Sequence, residues 1–222
     1  MKSGIMTDIH THIIYDVDDG AKTLAESIEM LQLEKELGIS SVVLTPHFHH
    51  DRNYYTKESL LKKIKELQQY TDLDLYLGNE CFYTSELVSD LISGDALTID
   101  NTEYVLVEFD YYATPEEIYH GCKDIVSAGY KIILAHIERY KHFNGTLAKK
   151  LIRLGALFQI NASYYNSGIN RLHKKLIKTK AIKFIASDTH NATNRKPDIN
   201  ISSIKNLGLW NIEDLKERPL VK

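Results

Sequence analysis

The chain has 222 residues, of which 43% are hydrophobic and 26% are charged, and its formal net charge is −3. This length suits a single domain with a sizeable core, and the composition excludes an intrinsically disordered chain. The nearly balanced charge argues against a nucleic-acid-binding protein, and no apolar run in the sequence is long enough to predict membrane insertion.

Cysteine usage and the first residues bear on location. Cys81 and Cys122 are too few for a disulfide framework, and the first ten residues lack the apolar core of a secretory signal. We therefore expect a cytoplasmic protein. Residues 1–5 are interpreted as an upstream extension or a cloning remnant ahead of Met6, and the sequence leaves both readings open.

Short β-rich runs alternate with helical patterns along the chain. The predicted strands are Ile5–Ile9, Ser41–Leu44, Leu73–Leu77, Tyr104–Phe109, Lys131–Ala135, Ala156–Ile160 and Ile182–Ala186. Apolar residues at helical spacing fill the intervals between them. Thr23 with Glu26 predicts a capping box at one helix start, and Thr114-Pro115 is typical of another.

This alternation predicts an α/β protein with a parallel sheet or barrel. The sequence shows no long linker, low-complexity tract or internal repeat, so we expect one domain over residues 1–222. On pattern alone, an open doubly wound sheet is the alternative to a barrel.

Each predicted strand delivers a polar residue at or just beyond its C-terminal end. In chain order these residues are Asp8, His10, His12, His47, Asn79, Glu80, Glu108, His136, Asn161, Asp188 and His190. The C-terminal ends of parallel strands meet at one edge, where binding sites of barrels and open sheets are built. We therefore expect these side chains to converge in space although they are scattered in sequence.

The residue types indicate a metal centre. His10 and His12 form a His-x-His pair, which on an extended segment points both imidazoles to the same side. Imidazole and carboxylate together suit Zn, Mn, Fe or Ni, and the absence of a C-x-x-C motif disfavours a structural zinc site. Five histidines and four carboxylates exceed the needs of one ion, so two or three ions are predicted. The full set is His10, His12, Asp19, His47, Glu80, Glu108, His136, Asp188 and His190.

Other acidic and histidine residues are less clearly placed. Spacing alone leaves open which of Asp16, Asp18 and Asp19 in the D-V-D-D-G segment is the ligand. His49 and His50 are predicted to lie in a flexible loop, where either could replace His47. His120, His142 and His173 are predicted to be solvated surface residues.

Two arginines follow candidate ligands closely. Arg139 lies three residues after His136 and Arg195 lies five residues after His190, and a guanidinium group matches phosphate geometry. Motifs for dinucleotide binding, the P-loop, the serine-hydrolase elbow and the H-E-x-x-H zinc site are absent from the sequence. No covalent nucleophile is evident.

The motifs D-I-H-T-H, D-V-D-D-G, T-P-H, G-N-E, V-E-F, A-H-I-E-R-Y and A-S-D-T-H-N occur in this order from about residue 7 to about residue 197. The set resembles the PHP (polymerase and histidinol phosphatase) superfamily. More closely, it resembles the bacterial manganese-dependent protein-tyrosine phosphatases of capsule and exopolysaccharide operons. The resemblance implies a distorted (β/α)7 TIM-like barrel with the metal site at the strand C-termini.

The resemblance also implies roles for individual residues. Asp19 becomes the ligand of its segment. One Mn²⁺ would be held by His10, His12, Glu80 and Asp188, a second by Asp19, His47 and His190, and a third by Glu80, Glu108 and His136; Fe, Zn, Co, Mg or Ni are alternative metals. Arg139 and Arg195 match phosphate-binding arginines. Independently of the resemblance, the ligand set itself suggests Asp188 or His190 as the group that protonates the leaving group.

The expected activity is hydrolysis of phosphotyrosine in proteins by a metal-activated hydroxide, with a tyrosine autokinase of polysaccharide export as the expected partner. A small-molecule phosphatase such as histidinol-phosphate phosphatase is the alternative, and it would need longer loops to close the pocket. A metal-dependent C–N or C–O hydrolase and a non-catalytic binding module are further alternatives. No lysine at a strand end supports the former, and the complete ligand set argues against the latter.

Overall fold

The computed structural model describes residues 6–52 and 55–217. Residues 1–5, including Ile5 of the first predicted strand, lie outside this part. The described strands are β1 (Thr7–Thr11), β2 (Ser41–Leu44), β3 (His47–Phe48), β4 (Asp74–Leu77), β5 (Glu80–Phe82), β6 (Tyr104–Glu108), β7 (Lys131–Leu134), β8 (Leu157–Asn161) and β9 (Ile182–Ala186). The described helices are α1 (Leu24–Glu36), α2 (Lys57–Leu67), α3 (Leu87–Ser93), α4 (Pro115–Ser127), α5 (Gly145–Arg153), α6 (Ala162–Ser167), α7 (Arg171–Lys178), α8 (Ile201–Ile204) and α9 (Ile212–Lys216).

All paired strands are parallel and follow chain order. One sheet has the order β1-β2-β4 and the other has the order β3-β5-β6-β7-β8-β9. Because β3 continues from β2 after Thr45-Pro46, and β5 continues from β4 after Gly78-Asn79, the two sheets share two interrupted strands. Counted this way, the described strands occupy seven consecutive positions.

The segment after β9 pairs with β1 and completes the ring. The Asp188 N–H donates to the His10 carbonyl, and the His12 N–H donates to the Thr189 carbonyl, both at 2.9 Å. Deeper in this seam, the buried Asp8 carboxylate accepts hydrogen bonds from the backbone N–H groups of His10 and Ser187. The predicted α/β class and distorted (β/α)7 arrangement are confirmed, with β1 beginning two residues later than predicted.

The side chain of Asn79 lies between the two strand interruptions and forms hydrogen bonds there. Its side-chain amide donates to the Pro46 carbonyl at 3.0 Å, and its side-chain oxygen accepts from the Leu97 N–H at 2.9 Å. The buried amide therefore links the residues between β2 and β3 to the segment after α3, while the Gly78 and Glu80 N–H groups still donate to the Leu44 and Pro46 carbonyls across the break. Beyond the breaks, His47 and Glu80 are paired in register on β3 and β5.

The core has two parts because strand side chains alternate between the two faces of the sheet. Leu106 packs inside the ring with Ile9 and Phe184. Its neighbours Val105 and Val107 point outward and pack under the helices with the larger apolar cluster. None of the described helices is long and apolar enough to cross a membrane.

The predicted starts of α1 and α4 are found in the structure, but the predicted capping box of α1 is not formed. Thr114 and Glu117 form the expected reciprocal cap with Pro115 in the first turn of α4. Thr23 caps α1 by accepting from the Glu26 N–H at 3.2 Å, but the Glu26 carboxylate accepts from the Lys22 N–H instead of closing the predicted capping box.

His173 corrects one prediction. It was expected on the surface, but it is buried on α7, where its Nδ1 lies 2.9 Å from the Tyr164 hydroxyl. Burial lowers the pKa of His173, which favours the neutral ring.

Candidate metal centre

The nine predicted ligand residues lie together at the C-terminal edge of the ring. Four of them are strand residues, His10, His47, Glu80 and Glu108, and His12 follows directly after β1. His136 follows β7, Asp188 and His190 follow β9, and Asp19 lies in the loop between β1 and α1. Convergence of separate strand ends therefore builds the cluster, as the parallel topology requires.

Glu80 lies at the centre of the cluster. Its Oε2 is 3.1 Å from His10 Nε2, 3.2 Å from His12 Nε2 and 3.1 Å from His47 Nδ1. Its Oε1 is 2.7 Å from His136 Nε2. Burial opposes ionisation of Glu80, but the charges of His10 and His47 outweigh it and hold the pKa of this carboxyl well below its usual range.

One group of potential ligand atoms comprises His10, His12, Glu80 and Asp188, all within 4.8 Å of one another. The Nε2 atoms of His10 and His12 are 3.3 Å apart, and Asp188 Oδ1 is 3.5 Å from each. Ligand atoms around a divalent ion lie about 3.0–3.4 Å apart, because each bond is about 2.1 Å long. Asp188 Oδ1 is buried and has no hydrogen-bond partner in the described part of the chain. This unpaired oxygen beside two imidazole nitrogens fits a metal ion.

A second group lies nearer the solvent. Asp19 Oδ1 is 3.3 Å from His190 Nε2 and 3.4 Å from His47 Nε2, and His12 completes the group. The Asp19 side chain is 62% exposed, so this group is the open face of the cluster. Hydrogen bonds to His190 and His47 lower the pKa of Asp19.

The third group is formed around Glu80 and Glu108. His47 Nδ1 is 3.3 Å from Glu108 Oε1, and His136 Nε2 is 3.5 Å from Glu108 Oε2. His47 therefore contacts two groups through its two nitrogens, whereas the family resemblance placed it in the second group alone. Burial and the nearby Glu80 oppose ionisation of Glu108, but hydrogen bonds from the two histidines keep its pKa lowered.

Neighbouring carboxylates raise the pKa values of three imidazoles and keep them protonated. Burial opposes a charge on His12, but Asp18 outweighs it and raises the pKa of His12 to about 9. Burial is likewise outweighed at His47, where Glu80 raises the pKa to about 12. At His136, burial is outweighed by Glu108 and Glu80, which raise the pKa to about 10. These protons occupy the positions where a metal ion would bind.

Two of the candidate ligands have unusual backbone conformations. His136 has φ 27° and Asp188 has φ 54°, both in the region that non-glycine residues avoid. The His136 N–H donates to Gln159 Oε1 at 2.6 Å, which helps to hold this conformation. Strain of about 1–3 kcal/mol per residue persists only where the surrounding contacts demand it, and such sites are often functional.

The supporting roles of Asp18 and Gln159 were not predicted from the sequence. Asp18, left open as a ligand, instead accepts from His12 Nδ1 at 2.7 Å and from the His47 N–H at 3.0 Å. Gln159 on β8 connects the His136 N–H to Asn161, whose side-chain amide donates to Asp188 Oδ2 at 2.7 Å. Gln159-x-Asn161 repeats the spacing of the His-x-His pair, which is the signal that could have identified it.

Gly20 allows the D-V-D-D-G loop to pack on the His12 backbone. A Cβ atom at Gly20 would lie 2.1 Å from the His12 carbonyl oxygen and 2.6 Å from His12 Cβ. We expect Gly20→Ala to destabilise the fold by about 1–3 kcal/mol, the usual cost of overpacking. Urea unfolding of Gly20→Ala would measure this change. Gly145→Ala, whose added Cβ meets nothing nearer than 3.7 Å, is the control, and equal stability of both variants would contradict the packing argument.

The two predicted arginines meet at Asp188. Arg139 Nη2 donates to Asp188 Oδ2, and Arg195 Nη2 lies 3.2 Å from the same oxygen. Both side chains are about two-fifths exposed, at 43% and 41%. They therefore flank the cluster with donors that can reach a ligand in the opening.

The chain is similar in sequence to known proteins over most of its length. The sequence model of the family described as capsular polysaccharide synthesis, CpsB/CapC, matches residues 6–206. CapC of Staphylococcus aureus is 35% identical over 201 residues, which cover 86% of this chain and 79% of the relative. Tyrosine-protein phosphatase CpsB of Streptococcus agalactiae is 30% identical over 208 residues, which cover 86% of each chain.

Solved structures agree. One match is a crystal structure from a study of YwqE of Bacillus subtilis and CpsB of Streptococcus pneumoniae, which are described as unique metal-dependent tyrosine phosphatases. It superposes with a TM-score of 0.78 at 28% sequence identity, and the match covers 96% of this chain and 92% of that chain. Histidinol phosphate phosphatase of Lactococcus lactis matches with a TM-score of 0.60 at 15% identity over 91% of this chain and 92% of its own, a likeness of fold alone. The family model and the 30%-identical relative show that this chain belongs to the CpsB/CapC family of capsular polysaccharide synthesis proteins.

Proposed function

We propose that this chain is a metal-dependent phosphotyrosine-protein phosphatase, a phosphoric monoester hydrolase of the protein-tyrosine-phosphatase type. The observation that carries the proposal is the buried histidine–carboxylate cluster with two partly exposed arginines at its opening. The similarity of the chain to the tyrosine-protein phosphatases CpsB and YwqE also supports phosphotyrosine phosphatase activity. A structural zinc site of the cysteine type is disfavoured because the chain has only two cysteines and no C-x-x-C motif, and neither Cys81 nor Cys122 belongs to a candidate metal group of the described residues.

The nine candidate ligands would hold two or three divalent ions, for which we propose Mn²⁺. The unpaired Asp188 oxygen and the 3.1–3.5 Å spacing of ligand atoms in its group support this assignment. Bound ions would supply positive charge and an activated water for attack on phosphorus. Glu80 would help to hold ions in two of the groups, because its two oxygens face different histidines.

The chain itself would bind and orient the phosphate. Arg139 and Arg195 share Asp188 Oδ2 and are exposed enough to turn their remaining N–H groups toward the phosphate oxygens. The phosphate is a dianion, so these arginines and the loaded ions would attract it into an otherwise carboxylate-rich opening.

Asp188 and His190 were expected to protonate the leaving group, but their surroundings favour metal binding instead. The Asp188 carboxyl is buried, but the charges of His10 and Arg139 outweigh burial and lower its pKa. His190 Nδ1 lies 2.9 Å from the Asp188 carbonyl, so its Nε2, which faces Asp19 Oδ1 at 3.3 Å, is oriented as a ligand rather than as an acid. We therefore assign both residues to metal binding. A tyrosinate leaving group, with a parent pKa near 10, needs less protonation than an alkoxide.

Loss of either arginine is expected to weaken catalysis. We expect Arg139→Ala and Arg195→Ala each to lower kcat/KM for a phosphotyrosine peptide about 10²–10³-fold, the usual effect of removing one charge-stabilising donor. Arg153→Ala, on the exposed side of α5, is the control. Steady-state kinetics with a phosphotyrosine peptide would test this, and unchanged kcat/KM in both site variants would exclude a role for them in phosphate binding.

For substrate and location, we propose a phosphorylated tyrosine autokinase of polysaccharide synthesis as the partner and the cytoplasm as the compartment. The capsular polysaccharide family and the two free cysteines support these proposals. Histidinol-phosphate phosphatase activity is the second candidate, but only fold-level similarity favours it.

A parallel assay distinguishes these functions. The purified protein loaded with Mn²⁺ is incubated with a phosphotyrosine peptide and, separately, with histidinol phosphate, and phosphate release is measured. We expect rapid release from the peptide and little from histidinol phosphate. The reverse order would favour the second candidate, and release from neither substrate with bound metal present would refute both.

A further inference from the structure

Two loops lead from the metal centre to a separate cavity. One runs from Glu108 to Pro115 at the start of α4, and the other runs from Arg139 to Asn144, the N-cap of α5. Pro115 and Asn144 both line an open cavity of about 540 Å³. Because an extended chain covers at most about 3.6 Å per residue, the cavity edge at Asn144 lies within about 18 Å of Arg139.

The lining of the cavity carries a net positive charge. Lys149 and Lys150 of α5 and Lys175 of α7 line it, and Glu116 is the acidic residue of the lining. Among the described residues, none of these lysines has a carboxylate oxygen within 4.0 Å. Lys150 Nζ instead lies 5.4 Å from the centre of the Tyr119 ring. We call this site the lysine cavity.

Exposed aromatic side chains lie along the same two loops. Tyr111 and Tyr112 are 52% and 63% exposed, and their ring centres are 4.8 Å apart. Lys141 Nζ lies 4.9 Å from the centre of the Tyr112 ring, and the Lys141 N–H donates to the Tyr111 carbonyl. This tyrosine ledge, Tyr111, Tyr112 and Lys141, is therefore fixed by contacts between the loops, and it presents apolar surface beside the candidate site.

We propose that the lysine cavity binds an acidic segment of the polypeptide substrate while its phosphotyrosine occupies the metal centre, with the intervening residues crossing the tyrosine ledge. The inference rests on the proposed phosphatase function. Unpaired lysines in a concave surface favour an anionic partner, and exposed tyrosines offer contact area at low entropic cost. The shared loops place both features within reach of one extended peptide, which favours a substrate segment over a membrane surface.

Matched peptides test the charge preference. Two phosphotyrosine peptides of equal length carry either glutamates or glutamines four to six residues from the phosphotyrosine. We expect kcat/KM to be about fivefold to tenfold higher for the acidic peptide at low salt, the effect of two or three exposed ion pairs. The double variant Lys150→Glu/Lys175→Glu should lose this preference through a higher KM, with kcat and the turnover of para-nitrophenyl phosphate unchanged.

A control variant carries the same change in charge outside the cavity. Lys174→Glu/Lys178→Glu changes two exposed lysines of α7 and should keep the preference. Equal kcat/KM for the two peptides in the unmodified protein would overturn the inference, as would equal loss of preference in both double variants. Binding to phosphatidylserine vesicles that depends on Lys150 and Lys175, without any peptide preference, would also overturn it and indicate a membrane surface.

A binding measurement separates this inference from the proposed activity. Fluorescence anisotropy of labelled, unphosphorylated versions of the two peptides requires no turnover, and tighter binding of the acidic version would support the cavity even in an inactive protein. Turnover of para-nitrophenyl phosphate without any difference in binding would refute the cavity and leave the phosphatase function standing.

The tyrosine ledge has its own variant. Tyr112→Ala should raise KM for both peptides severalfold without changing turnover of para-nitrophenyl phosphate. Tyr70→Ala, which changes another tyrosine that is more than half exposed, after α2, should change neither. An unchanged KM in Tyr112→Ala would remove the ledge from the proposed path.

Discussion

Replacing Glu80 with glutamine is expected to lower kcat/KM for a phosphotyrosine peptide by about 10³-fold. Metal ions contribute several kcal/mol to such reactions, and each 1.4 kcal/mol is a factor of ten. Glu80 contacts His10, His12, His47 and His136 through its two oxygens, so the substitution removes the one charge shared by all these histidines. Glutamine keeps the size of the side chain, so the loss reflects charge and metal binding rather than a cavity.

The measurement pairs kinetics with metal content. After loading with Mn²⁺ and gel filtration, the Glu80→Gln protein should contain fewer metal ions per chain than the unmodified protein, as measured by plasma mass spectrometry. Glu29→Gln, an exposed position on α1, is the matched control and should retain both metal and activity. A Glu80→Gln protein with full metal content and full activity would contradict the role of Glu80 as a metal ligand.

The polar cluster at the strand ends could be predicted in two steps. Short hydrophobic runs indicate each strand from local sequence alone, and the parallel topology then determines which strand ends lie together. Once the strands are parallel, polar residues after separate strands must share an edge, whatever their separation in sequence. This is why His10 and Asp188, almost the whole chain apart, could be placed together without any knowledge of the contacts. The helix start at Thr114-Pro115 was equally readable, because capping is a local interaction.

The details that escaped prediction depend on contacts between distant segments. Two-residue β3 has too short a pattern to detect, and it exists because His47 pairs with Glu80 across a break that Asn79 bridges. Burial of His173 depends on Tyr164 of α6, a helix with no clear amphipathic pattern. The support that Asp18 gives to His12 also could not be derived from spacing, because adjacent aspartates differ only in the direction of their side chains.

Removal of the metal is expected to abolish activity and to make stability depend on pH in a characteristic way. In the metal-free protein, His12, His47 and His136 have pKa values of about 9, 12 and 10, above the ordinary value near 6.5. A raised pKa stabilises the folded state fully below the unfolded value and loses this contribution as pH rises through the folded value. The chelated protein should therefore lose stability between about pH 7 and pH 10.

The metal-loaded protein should lose much less stability over this range, because its ligand imidazoles are already neutral in the folded state. Ligand imidazoles must be neutral, so metal affinity rises with pH and the difference in Tm between loaded and chelated protein should widen from pH 7 to pH 10. An ion present at 1,000 times its Kd stabilises the fold by about 4 kcal/mol per site. Comparing the two forms at each pH separates the effect of the metal from titrations elsewhere in the chain.

Proton release gives an independent measure of the same exchange. At pH 7 the three protonated imidazoles of the chelated protein must each lose a proton when metal binds, so loading should release about three protons per chain. Calorimetric titration with Mn²⁺ in buffers of different ionisation enthalpy yields this number directly. His120→Gln, on the exposed face of α4, should leave it unchanged, whereas His136→Gln should reduce it by about one proton, because its charge is held by Glu80 and Glu108. Metal binding without proton release would show that the carboxylates do not hold these histidines protonated, and the electrostatic account of the cluster would then fail.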